Sequence, residues 1–259
     1  MNACSAAALC LISGASAADP HASSVQPTVP VLVELFTSEG CSSCPPADEA
    51  LRSMAASQPV PGARIIALGF HVDYWNQLGW RDAYSSSEFT SRQMSYGEAF
   101  HLDGVYTPQL VVDGSRQLVG GSSGTEKVIA SAARGAKAKV DVSAQLTDDG
   151  STEIQVAASQ LPPIASGDEA EVWLAIAEDN LSSQVLRGEN AGRKLTHAAV
   201  VRRLEFFGRL AKGEREISAR RKERLDPSWK RDQLMAVAFV QEKKSRRVLG
   251  SAAVSLPAR

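Results

Sequence analysis

Two short stretches of this chain, Val31-Leu32-Val33-Glu34-Leu35-Phe36 and Arg64-Ile65-Ile66-Ala67-Leu68-Gly69-Phe70, are almost continuously apolar. That pattern marks strands buried on both faces, as in the middle of a parallel or mixed sheet. Between them Ala47, Ala50, Leu51, Met54 and Ala55 recur at the spacing of an amphipathic helix. Pro45 or Pro46 suits its first turn, and Pro59 and Pro61 end it near Gln58. Residues 31–70 therefore predict a βαβ unit. A second helix is predicted over Ser85 to Phe100, with a serine N-cap and with Phe89, Tyr96 and Phe100 along one side. Pro108 opens a further strand, whose partner, Gln117 to Val119, follows a turn at Asp113-Gly114. Ser123-Gly124-Thr125-Glu126 fits a capping box ahead of Val128, Ile129, Ala132, Ala133 and Ala136.

From Lys139 the period changes to two. Val140, Val142, Ala144 and Leu146 alternate with polar residues, Asp149-Gly150 turns, and Ile154, Val156 and Ala158 alternate again. Further strands are predicted over 170–178, 200–206 and 234–240, with a return over 247–254. Short alternating strands with turn signals point to an antiparallel sandwich. The pattern thus divides the chain into an α/β domain over 31–137, with a central mixed sheet flanked by helices, and an all-β, sandwich-like domain over 138–259.

Residues 1–18 carry no charge, run apolar from Ala6 to Ile12 and end in Ala15-Ser16-Ala17-Ala18. This reads as a signal peptide, although no Lys or Arg precedes the apolar run, and it implies a periplasmic or secreted protein. The run is too short for a stable membrane anchor. Residues 19–30 follow as a polar linker. Cleavage would remove Cys4 and Cys10, leaving Cys41 and Cys44 as the mature protein's cysteines and excluding a long-range disulfide. Charge changes the picture little. Residues before Lys137 carry 7 basic and 12 acidic side chains and the remainder 21 and 17, net −5 and +4, which supports two domains. The basic residues from Arg202 to Lys222 are interspersed with Glu205, Glu214 and Glu216, a solvated face and not a nucleic-acid surface.

The candidate chemistry lies in Cys41-Ser42-Ser43-Cys44, between the first strand and its helix. A pair kept in an oxidising compartment, yet closing the tightest loop, is better suited to exchange chemistry than to stapling. A helix N-terminus favours the thiolate, so Cys41, on the loop side, is the expected attacking sulfur and Cys44 the resolving one. Glu34, an acid in a buried strand one strand-end away, is the expected proton acceptor for Cys44. His71 and Asp73, off the end of the second strand, are candidates for proton transfer, and Tyr74 and Trp75 for a substrate groove. The second half offers no catalytic cluster: His197 stands alone, and Gly188-Glu189-Asn190-Ala191-Gly192 lacks the flanks of a phosphate cradle. The expected function is thiol–disulfide exchange on protein thiols or disulfides with an unidentified redox partner, with neither cofactor nor metal. Two alternatives stay open: a copper carrier using both thiols and His71, and a redox-silent binding module.

A βαβ unit with Cys-x-x-Cys at its first strand–helix junction, followed by Thr107-Pro108 opening a hairpin and by a closing helix, resembles the thioredoxin superfamily over about residues 28–137. The resemblance implies that Pro108 is cis and abuts the cysteines. It further implies that Thr107 presents its backbone to an extended substrate segment and that Glu34 takes the place of a buried acid. More closely, Val33-Glu34-Leu35-Phe36-Thr37-Ser38 with Cys41-Ser42-Ser43-Cys44-Pro45-Pro46-Ala47-Asp48, Phe70-His71-Val72-Asp73-Tyr74-Trp75 and Val105-Tyr106-Thr107-Pro108-Gln109 looks like an uncharacterised family of secreted bacterial thioredoxin-like proteins.

Overall fold

The computed structural model describes Met1, residues 28–211 and residues 213–258. The expected signal peptide and most of the expected linker, with Cys4 and Cys10, lie outside the described residues. In chain order the elements are β1 (Val29–Thr37), α1 (Pro45–Ser57), β2 (Ala63–His71), α2 (Ser87–Ala99), β3 (Gln109–Val112), β4 (Arg116–Val119) and α3 (Thr125–Ala132). They continue through β5 (Lys139–Leu146), β6 (Thr152–Ser159), β7 (Ala170–Glu178), β8 (Leu181–Gln184), β9 (Lys194–His197), β10 (Val200–Arg209), β11 (Ile217–Glu223), β12 (Leu234–Glu242) and β13 (Val248–Ser255).

β1 and β2 pair in parallel across the α1 crossover, and β3 adds antiparallel on the other side of β1. Side chains alternate faces along a strand, so β1 is divided in two. Val31, Val33 and Leu35 pack with Ala47, Leu51 and Ile129 of α1 and α3. Leu32 and Phe36 pack with Phe89 and Tyr96 of α2 on the opposite face. α1 stops where Gln58 turns left-handed at φ 49°. α2 starts at a Ser86 cap whose side chain accepts from the Glu88 amide. The β3–β4 hairpin closes through three residues, with positive φ at Asp113 and Gly114 in a tight turn whose Ser115 amide donates to the Val112 carbonyl at 3.0 Å. The expected capping box ahead of α3 does not form: Gly124 is the N-cap, without a side-chain bond, and the Thr125 hydroxyl donates backward to the Ser122 carbonyl.

The expected boundary near residue 137 does not divide the sheet. One eight-stranded mixed sheet runs β13-β12-β7-β10-β2-β1-β3-β4 through both halves of the chain. The junction is the parallel contact of β10 with β2, where Val200 pairs with Gly69 and the Gly69 amide donates to the Ala199 carbonyl at 2.8 Å. A side chain at Gly69 would come within 3.3 Å of the Ala198 carbonyl oxygen, which is why glycine suits this close approach. The three-stranded sheet β11-β6-β5 covers the C-terminal strands on one face, burying Ile154, Val156, Leu174 and Ala238 between the layers. A β-rich C-terminal region is therefore present, but it continues the main sheet and is not a separate sandwich. The physical reason lies in β7 and β12, apolar on both faces: Trp173, Ala175, Val237 and Phe239 join the α2-side core while their neighbours face β6.

Parity also relocates Glu34. It points to the α2 side, away from α1 and Cys44, and is fully buried in a network of its own. Arg92 donates from Nε to Glu34 Oε1 at 2.7 Å, and the Tyr96 hydroxyl donates to Oε2. Arg92 also reaches Gln241 of β12 at 3.2 Å and lies over the Phe70 and Phe239 rings. The expectation that Glu34 takes a proton from Cys44 is thus corrected: its carboxylate is held by a buried guanidinium on the far face of the sheet. Removing one partner of a buried ion pair leaves the other charge uncompensated. Arg92→Leu should therefore lower unfolding stability by about 3–5 kcal/mol, measured by urea denaturation. A loss well below that range would mean that the pair does not tie α2 to the sheet.

Candidate active site

β1 delivers the chain at Thr37 to a loop that reaches Cys41 and Cys44 at the start of α1. Cys44 is the N-cap of that helix, its carbonyl accepting from the Ala47 and Asp48 amides. The two cysteines form a disulfide with Cα atoms 5.4 Å apart. The Thr107-Pro108 peptide is cis, and the Thr107 carbonyl oxygen lies 3.9 Å from Cys41 Sγ. Trp75 donates from its indole to the Thr107 hydroxyl at 2.8 Å, and its Cβ would stand 3.1 Å from a side chain placed at Gly40. Cys41, Cys44, Trp75, Thr107 and Pro108 are therefore brought to one place. Ser42 and Ser43 are exposed, whereas both cysteines are 0 % exposed.

The segment joining β8 to β9, whose Gly188-Glu189-Asn190-Ala191-Gly192 stretch the sequence pattern gave no catalytic role, lies against this loop. Asn190 is buried and donates to the Glu39 and Cys41 carbonyls, at 2.9 Å each. The Glu189 carboxylate accepts from the Ser42 amide at 3.0 Å. That bond, with the Ser42 hydroxyl, holds the Glu189 carboxyl below the usual carboxylate range.

Behind the disulfide lies a second group of residues, all buried. His71 Nδ1 meets Asp82 Oδ2 at 2.7 Å, and Asp82 Oδ2 also accepts from the Glu39 amide at 2.9 Å. Glu39 receives the Trp80 indole at 2.7 Å and faces His197 Nε2 at 3.1 Å. The His71 and His197 rings meet edge to face, 4.7 Å between centroids. Asp48 completes the group, its Oδ2 lying 3.8 Å from His197 Nδ1. Burial by itself would lower His71, but Asp82, with Asp48 and Glu39, more than offsets it and raises the imidazole above its ordinary value. Burial would likewise raise Asp82, but His71 and the Glu39 and Tyr84 amides bring it below the ordinary range. Asp48 goes the other way: burial pushes its carboxyl up, and His71 and His197 offset this only in part.

Of the other residues picked from the sequence, Asp73 accepts the Thr90 hydroxyl at 2.6 Å, and Tyr74 donates to Gln93 at 3.2 Å. Both bonds tie the post-β2 loop to α2; the Tyr74 hydroxyl also lies near the Thr107 side chain beside Cys41, whereas Asp73 is turned to α2. His71 joins the buried cluster. Asp48 was legible only as an acid at a helix start; its position four residues after Cys44, beside the buried Ala47 and Leu51, was the available signal for an inward face. His197, 158 residues from Glu39 in sequence, carried no such signal.

An acid whose folded-state pKa is raised binds its proton more tightly in the folded chain. Asp48 therefore costs stability as pH climbs from its ordinary 3.8 through the raised folded value. Asp48→Asn removes that penalty. The variant should be the more stable protein at pH 7–8, by thermal or urea unfolding, with its advantage shrinking toward pH 4. Equal stability across that range would show that Asp48 ionises in the fold without cost.

A comparison with curated proteins finds no match. Among solved structures, the chain is similar to protein AGR_C_4864 from Agrobacterium tumefaciens, at 28% identity and a TM-score of 0.65, over 88% of this chain and 95% of that one. HBP35 of Porphyromonas gingivalis shares the fold at 15% identity and a TM-score of 0.66, covering 89% of this chain and 76% of that one. The family model described as protein of unknown function (DUF1223) matches residues 32–241, and the chain belongs to that family.

Proposed function

We propose that this protein is a thiol–disulfide oxidoreductase, thioredoxin-like in its first half, that works through Cys41 and Cys44 on protein thiols or disulfides in an oxidising compartment. The observation that carries the reading is convergence. A disulfide sits at the N-terminus of α1, and the Thr107 carbonyl beside Pro108, 66 residues on, lies against Cys41 Sγ. The helix end stabilises a thiolate, and the Thr107-Pro108 backbone lies where it can orient an extended partner segment. In the reduced chain the Cys41 thiolate attacks a partner disulfide and one partner thiolate departs. The Cys44 thiolate then attacks the Cys41 sulfur, the mixed disulfide breaks, and the second partner thiolate leaves, its two sulfurs reduced and this pair oxidised. The same steps run backward when the partner is a dithiol.

In the oxidised form neither cysteine has accessible surface, so exchange requires the cover to move. That burial is the observation favouring a second reading, a redox-silent module in which the bridge only closes a loop. The copper-carrier alternative lacks its expected third ligand: among the described residues no group of three or more His, Cys, Asp or Glu side chains is gathered to hold a metal ion.

Trapping separates the two surviving readings. Reduced Cys44→Ser protein should accumulate mixed disulfides through Cys41, visible on non-reducing gels, and Cys41→Ser/Cys44→Ser should form none at this loop. If the wild-type pair shows no exchange with glutathione between pH 6 and pH 8, the oxidoreductase reading falls. The cover has its own test. Asn190→Ala leaves the Glu39 and Cys41 carbonyls without their buried donor, which loosens the loop. Dithiothreitol should then reduce the Cys41–Cys44 bond several-fold faster, and an unchanged rate would remove the β8–β9 segment from the gating of access.

A further inference from the structure

Five ionisable side chains lie buried behind the disulfide and are gathered from five parts of the chain. Glu39 follows β1, Asp48 is on α1, His71 ends β2, Asp82 precedes α2 and His197 ends β9. Four of them are committed in pairs: His71 with Asp82, and Glu39 with His197 Nε2. Asp48 is the exception. Its carboxylate faces His197 Nδ1 at 3.8 Å, beyond hydrogen-bond reach, and that nitrogen has no hydrogen-bond partner among the described residues. The Thr37 hydroxyl, buried at the end of β1, lies on the Asp48 side but forms no bond at hydrogen-bond distance. Asp48 stands one helical turn after Cys44, the spacing that puts two side chains on one face with Cβ atoms about 5–6 Å apart. On its other side it lines a cleft of about 150 Å³ between the start of α1 and β9, with Pro45, Arg193, Lys194 and Thr196. A buried carboxylate one helical turn from Cys44, facing an unpartnered imidazole nitrogen and lining a cleft, has the layout of a proton path.

We propose that Asp48 and His197 form a proton-transfer pair serving Cys44, so that the second half of the chain supplies part of the exchange machinery. The proposal rests on the oxidoreductase reading and adds to it the route of the proton. In the mixed disulfide between Cys41 and a partner sulfur, the Cys44 thiol gives its proton to the Asp48 carboxylate. The resulting Cys44 thiolate attacks Cys41 Sγ, the bond from Cys41 to the partner sulfur breaks, and the electron pair leaves with the partner thiolate, which solvent protonates. As the two close from 3.8 Å to hydrogen-bond distance, the Asp48 carboxyl passes the proton to His197 Nδ1, which accepts it in the tautomer whose Nε2–H donates to Glu39, or releases it through the cleft. Every group facing Asp48 fits this cycle. Thr37 of β1 offers a hydroxyl, and His71 of β2, paired with Asp82, and His197 of β9 face the carboxylate from the other elements. Arg193 and Lys194 line the cleft, and the neighbouring Glu49 is turned to Arg52 on the exposed face of α1. His71 makes no close contact with the Asp48 carboxylate, whereas His197 Nδ1 lies 3.8 Å from it, so His197 carries the assignment.

The test follows the two steps of one reaction. Full-length protein carrying Cys4→Ser and Cys10→Ser is reduced and mixed with 5,5′-dithiobis(2-nitrobenzoate), whose first thionitrobenzoate release reports attack by Cys41 and whose second reports resolution by Cys44. Asp48→Asn should leave the first release unchanged and slow the second at least about tenfold at pH 7, the lower range for lost general-base assistance. The second release should then rise steadily with pH, as for an unassisted thiol. His197→Gln should slow the second release less and shift the lower inflection of its pH profile. Second-release pH profiles that superimpose for wild type and both variants overturn the proposal while leaving the oxidoreductase reading standing. A wild-type protein that releases no thionitrobenzoate overturns that reading instead. Should Asp48→Asn fail to fold, the His197→Gln profile decides alone.

Discussion

β1 is hydrogen-bonded on both sides and covered on both faces, and its strict two-residue alternation commits every neighbour. Val31, Val33 and Leu35 belong to α1 and α3, while Leu32, Glu34 and Phe36 belong to α2. A slip of one residue would put Glu34 under α1 and strand Arg92 without its carboxylate, so the buried ion pair and the apolar faces specify one register together. That register fixes where the chain leaves the sheet at Thr37. From there the position of the cysteines at the start of α1 and the approach of the cis Thr107-Pro108 peptide beyond β3's partner edge follow.

The site is joint property of the two halves of the chain. The first half gives the disulfide, its helix and the proline peptide; the second gives Asn190, Glu189 and His197, which close over and behind them. This is possible because β10 pairs with β2 and so carries β8 and β9 to the carboxyl ends of β1 and β2, the end at which open α/β sheets collect functional loops. The buried charges there contrast with those on the other face. Glu34 and Arg92 neutralise each other fully and serve stability. Asp48 has no such partner, and its burial holds the carboxyl against ionisation.

Much of the architecture was legible because it is local. The continuous apolar runs at 31–36 and 64–70, the helical spacing from Ala47 to Ala55 and the strand at 170–178 report burial directly, and they appear where the patterns place them. The turn at Asp113-Gly114 is a property of adjacent residues. The separate sandwich was misread for a reason of the same kind. Alternation along β5 and β6 describes a half-exposed layer, but β7 and β12 are apolar on both faces, and only the pairing of β10 with β2 says which layers they join.

By itself, the sequence determined the order of the elements through β7 and the dithiol at a strand–helix junction, since each depends on neighbours within a few residues; β8, β9 and β11 were not legible, and the approach of Thr107-Pro108 to the cysteines, 66 residues apart, came only from the resemblance. Tertiary structure alone decided that Glu34 looks away from the cysteines, that both sulfurs are buried, and that His197 reaches Glu39 and Asn190 reaches the Cys41 carbonyl from the far end of the chain. Those outcomes depend on which strands pair and on which side of a sheet a side chain emerges. Such choices are set by the sum of packing over the whole molecule and by no spacing within one segment.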